Sequence, residues 1–206
     1  MLTLIKRELQ DHAVHIVLAA LICVGMVGQV ILTTYWGVAG VGLGIDAAAM
    51  VILLVLFCML GAAQMYTDRA NRVSALLATL AVTRTRILAA RVLAGAAIIL
   101  AMLVPLLITA VAILYVTGAP LALYWGTIAE VSTAVVLTSL ACYCVGLLMG
   151  WTTNKAIPAV SALFGILLIM LLVVVKGFGI SAMVLLLLFS IASLLRVWYW
   201  FTSVSL

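Results

Sequence analysis

Long apolar stretches, separated by short polar or glycine-rich breaks, run through the whole chain. Six of them reach about twenty residues or more, the length that a helix needs to cross roughly 30 Å of hydrocarbon. They are residues 13–34, 45–66, 87–116, 127–151, 156–175 and 179–201. The runs lack the period-two alternation of barrel strands. The pattern therefore predicts an all-α membrane protein with six transmembrane helices in a single domain over residues 1–206.

The composition agrees with this class and excludes a soluble domain. Hydrophobic residues make up 69% of the chain and charged residues 7%, and the mean hydropathy is +1.48. A soluble chain carries about 25% charged residues. The net charge of +5 is spread over short breaks, so we interpret it as a topology signal and expect no nucleic-acid partner.

The basic residues predict the orientation of the spans. With a cytoplasmic N-terminus, six spans put both termini inside, and nine of the ten basic residues then lie on the cytoplasmic side. Those nine are Lys6, Arg7, Arg69, Arg72, Arg84, Arg86, Arg91, Lys155 and Arg196. Lys176 alone falls outside. This is a strong positive-inside bias.

The first twelve residues precede the first span and read as a short helix at the membrane surface. Leu2, Ile5 and Leu9 share one helical face, while Lys6 and Arg7 lie on others. A disordered tail is the alternative. A secretory signal is disfavoured because the apolar run that follows exceeds the usual length of an h-region.

The most polar break, residues 67–91, contains its own amphipathic helix. Four apolar residues repeat at the i, i+3, i+4 and i+7 positions that place them on one helical face. They are Val73, Leu76, Leu77 and Leu80. Asp68 or Asn71 is a candidate N-cap for this helix and Thr83 for the third span, since a short oxygen-bearing side chain accepts the free amide protons of a first turn.

The order of these elements resembles the ABC-2 type permease family, the membrane subunits of many ATP-driven exporters. The resemblance rests on the surface helix, the first two spans, and the polar helix that leads into a leucine-rich third span. The positions that match the family motif are Asp68, Leu76, Leu77, Val82, Thr83, Arg84, Ile87, Leu88 and Arg91. Ala81 stands at the usual proline position.

The resemblance implies that residues 73–80 form a coupling helix, which docks on a separate ABC ATPase subunit. The residues that it implies for this contact are Asp68, Arg69, Asn71, Arg72, Val73, Leu76, Leu77, Leu80 and Arg84. No G-x-x-x-x-G-K-[ST] motif occurs in the chain, so we expect no ATPase site of its own. The chain itself is then expected to bind no cofactor, with ATP and Mg held by the partner subunit.

The same resemblance implies a second permease copy or a paralogue in the bilayer of a bacterial or archaeal cytoplasmic membrane. Gly146 and Gly150 form a small-xxx-small spacing that lets helices approach closely, either within the chain or at a dimer seam. The expected cargo is hydrophobic or amphipathic, such as a drug, peptide, lipid or haem-like molecule.

Glu130 is the candidate polar site within the membrane. It is predicted about one turn inside the outer end of the fourth span, and an ionisable residue there is a functional hypothesis. The alternative is a carboxylate at the outer interface that pairs with Lys176 or lies near Asp46. His12 and His15 lack a third ligand for a metal, and we interpret them as interfacial residues.

Two other classes of function compete with a transport subunit. A non-catalytic membrane assembly or immunity protein would share the topology without depending on an ATPase. An intramembrane enzyme needs reactive residues that converge at membrane depth, and the chain has no H-E-x-x-H or G-x-S-x-G motif. We therefore expect no catalytic residue and no metal site in this chain.

Overall fold

The computed structural model describes residues 13–36, 39–70, 84–116, 121–150 and 180–203. These residues form five helices: α1 (Ala13–Trp36), α2 (Ala39–Ala70), α3 (Arg84–Val116), α4 (Leu121–Met149) and α5 (Ile180–Ser203). A helix bonds every backbone amide within its own segment, so it is the stable form for apolar runs in lipid. The described part of the chain confirms the all-α class.

Four of these helices contain stretches long and apolar enough to cross a bilayer. The stretches are Ala48–Tyr66, Ile87–Val116, Trp125–Met149 and Ile180–Phe201. They coincide with the second, third, fourth and sixth predicted spans, so the chain is an integral membrane protein. Helix α1 carries a shorter apolar stretch, Ile16–Gln29.

Three predicted elements lie outside the described residues. They are the surface helix at residues 1–12, the coupling helix at 73–80 and the fifth span at 156–175. The full count of six spans and the side of the membrane on which the termini lie therefore stay predictions.

The structure corrects two predicted breaks. Helix α2 begins at Ala39, inside the glycine-rich stretch 37–44 that was expected to be a loop, and α4 begins at Leu121 instead of residue 127. Glycine weakens a helix in water by about 1 kcal/mol relative to alanine. In a bilayer the unfolded alternative leaves backbone groups unsatisfied, so glycine is better tolerated within helices there.

Asp68 is also placed differently from its predicted role as an N-cap. It lies in the last turn of α2, which continues to Ala70. An N-cap residue has non-helical backbone angles, and Asp68 lies within a helix that continues for two more residues. The assignment of Asp68 as an N-cap is therefore wrong. Helix α3 begins at Arg84, directly after Thr83, and Asn71 and Thr83 themselves lie outside the described residues.

Helices α2 and α4 form the centre of the bundle. Within an apolar window of 18 residues in each helix, half of the residues of α2 and 56% of those of α4 are buried, against 17% for α3 and 22% for α5. Helix α4 packs against α2, α3 and α5, while α1 packs against α2 and α3. The core between them holds Leu53, Phe57, Ile99, Leu103 and Leu147.

The outer faces of α1, α3 and α5 are apolar, as lipid contact requires. Large exposed side chains on α5 include Val184, Leu188 and Leu195. Near the C-terminal end of this helix the guanidinium carbon of Arg196 lies 5.3 Å from the ring centre of Trp200. A cation over an indole face at a helix end is typical of a membrane interface.

Candidate functional site

A close crossing of α2 and α4 brings the polar groups of the bundle together. A Cβ at Gly146 would overlap the backbone carbonyl of Cys58, and one at Gly61 would lie 2.5 Å from the carbonyl oxygen of Tyr143. The backbones are therefore in direct contact, which only residues without a side chain permit. Gly150 packs in the same way against Ala62.

This crossing decides how the Gly146 and Gly150 pair is used. Both glycines face α2 of the same chain, so the small-xxx-small spacing serves packing within the chain. Residue numbers rise in the same direction on both helices, since Gly146 contacts Cys58 and Gly150 contacts Met65. Helices α2 and α4 therefore run parallel, and their C-terminal ends lie at the same end of the bundle.

Tyr143 reaches from α4 to both neighbouring helices at that end. Its side chain is 1% exposed, and its hydroxyl donates to Oε1 of Gln64 on α2 at 2.7 Å. The same hydroxyl lies 3.3 Å from the backbone carbonyl oxygen of Arg91 on α3. A Cβ at Gly95 would overlap the phenol ring, so the absence of a side chain there makes the space for it. We call Gln64, Arg91 and Tyr143 the polar junction.

Two orientations of the Gln64 amide fit the polar junction. In the first, Tyr143 donates to Oε1, and Nε2 has no hydrogen-bond partner among the described residues. Turning the amide over places Nε2 beside the phenolic oxygen, and the freed phenolic proton is then available to the Arg91 carbonyl. The second orientation gives Nε2 one partner and gives the phenolic proton the Arg91 carbonyl, while the amide oxygen and the second N–H of Nε2 have no partner among the described residues.

The polar junction is sealed from lipid and from water. Gln64 is 2% exposed and Arg91 4%. One turn before Tyr143 on α4, Ser139 is fully buried, and its hydroxyl has no partner among the described residues. Buried polar groups hold helices in one arrangement. If a helix shifts, its buried polar group loses its hydrogen-bond partner, and the apolar surroundings provide no replacement.

The predicted ATPase-contact residues lie next to the polar junction or beyond it along the chain. Asp68 and Arg69 are in the last turn of α2, and Arg84 is the first residue of α3. Gln64 is about 9 Å of helix from the end of α2, and Arg91 about 10 Å from the start of α3. The other members of the predicted set, from Asn71 to Leu80, lie outside the described residues.

The opposite end of the bundle is different in character. The C-terminal part of α3 and the N-terminal part of α4 line an open groove of about 810 Å³ there. Its walls are mostly apolar and include Ile108, Val111, Tyr115, Ile128 and Val131. We call it the α3–α4 groove.

Glu130 lies at the same level of α4 but outside the residues that line the groove, and its side chain is exposed. It is nine residues, or about 13 Å along the helix, from the start of α4, and five residues, or about one and a half turns, from Trp125, where the apolar stretch begins. Of its suggested neighbours, Lys176 is outside the described residues and Asp46 lies in the second turn of α2.

Sequence reasoning missed two of the three junction residues, Gln64 and Tyr143, and included Arg91 only as a motif position. The available signal was a single amide in the otherwise apolar run GAAQMY, because an isolated polar residue within a span marks an internal contact. The four cysteines are free and buried, as expected of small apolar side chains.

Comparison of the chain with protein-family models, with curated proteins and with solved structures found no significant match.

Proposed function

We propose that this chain is the membrane-spanning permease subunit of an ATP-driven exporter of the ABC-2 type. The observation that supports it is the polar junction. The two helices that bound residues 71–83, α2 and α3, are both held to α4 by one buried phenol close to where that segment begins and ends. A force applied to the segment would therefore move three helices together.

The mechanism assigns the work to two subunits. A partner ABC ATPase binds ATP and Mg, and its closure moves the coupling helix at residues 73–80. The contact surface consists of the residues around this helix, Asp68, Arg69, Asn71, Arg72, Val73, Leu76, Leu77, Leu80 and Arg84. The polar junction passes the movement to α4, and the bundle shifts between inward-open and outward-open states.

A second permease copy or a paralogue completes the path. The described helices pack around one centre, formed by α2 and α4. A translocation path between two copies related by a two-fold axis suits such a subunit. The cargo is hydrophobic or amphipathic, in keeping with the apolar surfaces that the bundle offers.

The test is purification of the tagged chain in a mild detergent, with identification of the proteins that remain bound. We expect a stoichiometric ABC ATPase with the wild type and its loss in the double variant Leu76→Glu, Leu77→Glu. The control variant, Gly118→Glu with Ala119→Glu, adds the same charges to the segment between α3 and α4 and should retain the ATPase.

Retention of the ATPase by the Leu76, Leu77 variant would overturn the coupling-helix assignment. Absence of any ATPase from wild-type preparations under stabilising conditions would instead favour a non-catalytic assembly or immunity protein. Hydrolytic activity of the purified chain alone, lost on substitution of a buried polar residue, would favour an intramembrane enzyme.

A further inference from the structure

Arg196 on α5 places a positive charge on the lipid-facing surface of the bundle. Of the two arginines whose side chains the structure describes, Arg91 is buried and Arg196 is exposed. Arg196 lies five residues, or about 7 Å, before Phe201, where the apolar stretch of α5 ends. Trp198 and Tyr199 are exposed beside it, as aromatic residues are at the head-group level of a bilayer. The charge therefore stands at the edge of the hydrocarbon.

The surroundings of Arg196 favour an anion from outside the chain. Its guanidinium carbon lies 5.3 Å from the ring centre of Trp200. A guanidinium that lies against an indole keeps the N–H donors on its planar rim, and pairs of these donors match the oxygens of a phosphate. Among the described residues Arg196 contacts Trp200 and pairs with no carboxylate, and α5 itself contains no acidic residue.

An apolar strip runs along α5 from Arg196 towards the start of the helix. Leu185, Phe189 and Ala192 precede Arg196 by eleven, seven and four residues, spacings that place all four on one helical face. All four side chains are exposed. Ala192 is the smallest and leaves room between Phe189 and Arg196. We call these four residues the α5 strip.

The α5 strip has the length of one lipid leaflet. Leu185 and Arg196 are about 16 Å apart along the helix, close to half of the roughly 30 Å of hydrocarbon in a bilayer. The charge is at the end of the strip that faces the head groups, and the apolar residues extend from it into the hydrocarbon. This arrangement matches a molecule with an anionic head and an extended apolar chain.

We propose that the α5 strip binds one anionic phospholipid, with its phosphate at Arg196 and an acyl chain along Leu185, Phe189 and Ala192. The charge of the strip is opposite to that of such a head group. A second copy of α5 is a poorer occupant, because it would bring no acidic partner for the guanidinium into the seam between the helices. The proposal goes beyond the transport function and does not depend on an ATPase.

The test is a lipid titration of the purified, delipidated chain in detergent, followed by native mass spectrometry. Dioleoyl phosphatidylglycerol should bind at least about fivefold more tightly than dioleoyl phosphatidylcholine, whose choline group neutralises the phosphate. Glycerol 3-phosphate carries the anion without acyl chains, so the same concentration of it should not displace the lipid.

Three variants test the charge. Arg196→Gln should weaken binding of phosphatidylglycerol at least about fivefold, to the level of phosphatidylcholine. Arg196→Lys keeps the charge but loses the planar fork, so it should bind with intermediate affinity. Arg7→Gln removes the same charge from another part of the chain and should leave binding unchanged.

Two variants test the apolar part of the strip. Ala192→Trp fills the space between Phe189 and Arg196 and should weaken binding of phosphatidylglycerol by a similar factor. Val184→Trp is the control, because Val184 is also exposed on α5 but lies about 100° around the helix from Leu185. Binding to this variant should match the wild type.

Equal affinity of the wild type and Arg196→Gln for phosphatidylglycerol would overturn the proposal. An equal loss in Arg7→Gln would do the same, because binding would then follow the overall charge. Displacement by glycerol 3-phosphate would indicate a site for free phosphate instead. If Arg196→Gln converted a dimer into a monomer in the same spectra, the α5 strip would belong to an interface between two copies.

Discussion

The two ends of the bundle handle polar groups in opposite ways. At the polar junction, Gln64, Arg91 and Tyr143 are buried and joined across three helices. At the other end the walls of the α3–α4 groove are mostly apolar, and Glu130, which lies outside that lining, is exposed. The first arrangement fixes helices relative to one another, while the second leaves surface for another molecule.

The comparison teaches where each kind of substitution should act. A buried group in a close-packed crossing has fixed neighbours, so a change there should alter the stability of the fold. An exposed group has few neighbours, so a change there should leave the stability of the fold nearly unchanged. Three substitutions test this difference, from the largest expected effect to the smallest.

Gly146→Leu should have the largest effect, because any Cβ at this position overlaps the Cys58 carbonyl of α2. We expect the variant to lose at least about 3 kcal/mol of stability or to fail to fold. Size-exclusion profiles and thermal unfolding in detergent measure it. Gly126→Leu, on the same helix, is the control, since no atom lies within 4 Å of a Cβ there. Equal behaviour of the two variants would contradict the close crossing.

Tyr143→Phe should have an intermediate effect, because it removes the hydroxyl and keeps the ring against Gly95. We expect a loss of about 1 kcal/mol, typical of a hydrogen bond between membrane helices. Gln64→Leu removes the other partner. The double variant should lose less unfolding free energy than the sum of the losses in the two single variants, because both remove the same hydrogen bond. Equilibrium unfolding in mixed detergent measures these losses. Strict additivity would mean that the 2.7 Å contact contributes nothing.

Glu130→Gln should have the smallest effect on the fold. The side chain is exposed, so we expect the free energy of unfolding to stay within about 0.5 kcal/mol of the wild-type value. Thermal unfolding in detergent measures it. A large destabilisation would show that the carboxylate holds the structure together. The contrast between the two ends of the bundle would then fail.

Hydropathy predicted the spans well and the polar junction poorly, for one physical reason. The free energy of transferring a whole helix into lipid depends on the summed hydropathy of its side chains. A long apolar stretch such as Ile87–Val116 is therefore easy to identify in the sequence. Gln64 and Tyr143 contribute little to such sums. Their partnership depends on which helices become neighbours, and this follows from packing around Gly61, Gly95 and Gly146.

The glycine pattern predicted that a close helix contact exists but did not identify the helices that make it. The spacing of Gly146 and Gly150 predicted a close helix contact, and the structure contains one. The spacing alone did not distinguish a neighbour within the chain from a second copy. The glycines of residues 40–44 were interpreted as a loop, although α2 runs through them, because propensities measured in water were applied to a segment at the membrane.

The hydrogen bond between Gln64 and Tyr143 also sets an order of events during synthesis. The two residues are 79 positions apart, and α3 lies between them in the chain. When α2 and α3 first enter the membrane, the phenol that will join them is still on the ribosome. Until α4 inserts, the amide of Gln64 lacks this partner. A chain that ended before residue 143 would therefore hold α2 and α3 without the phenol that joins them to α4.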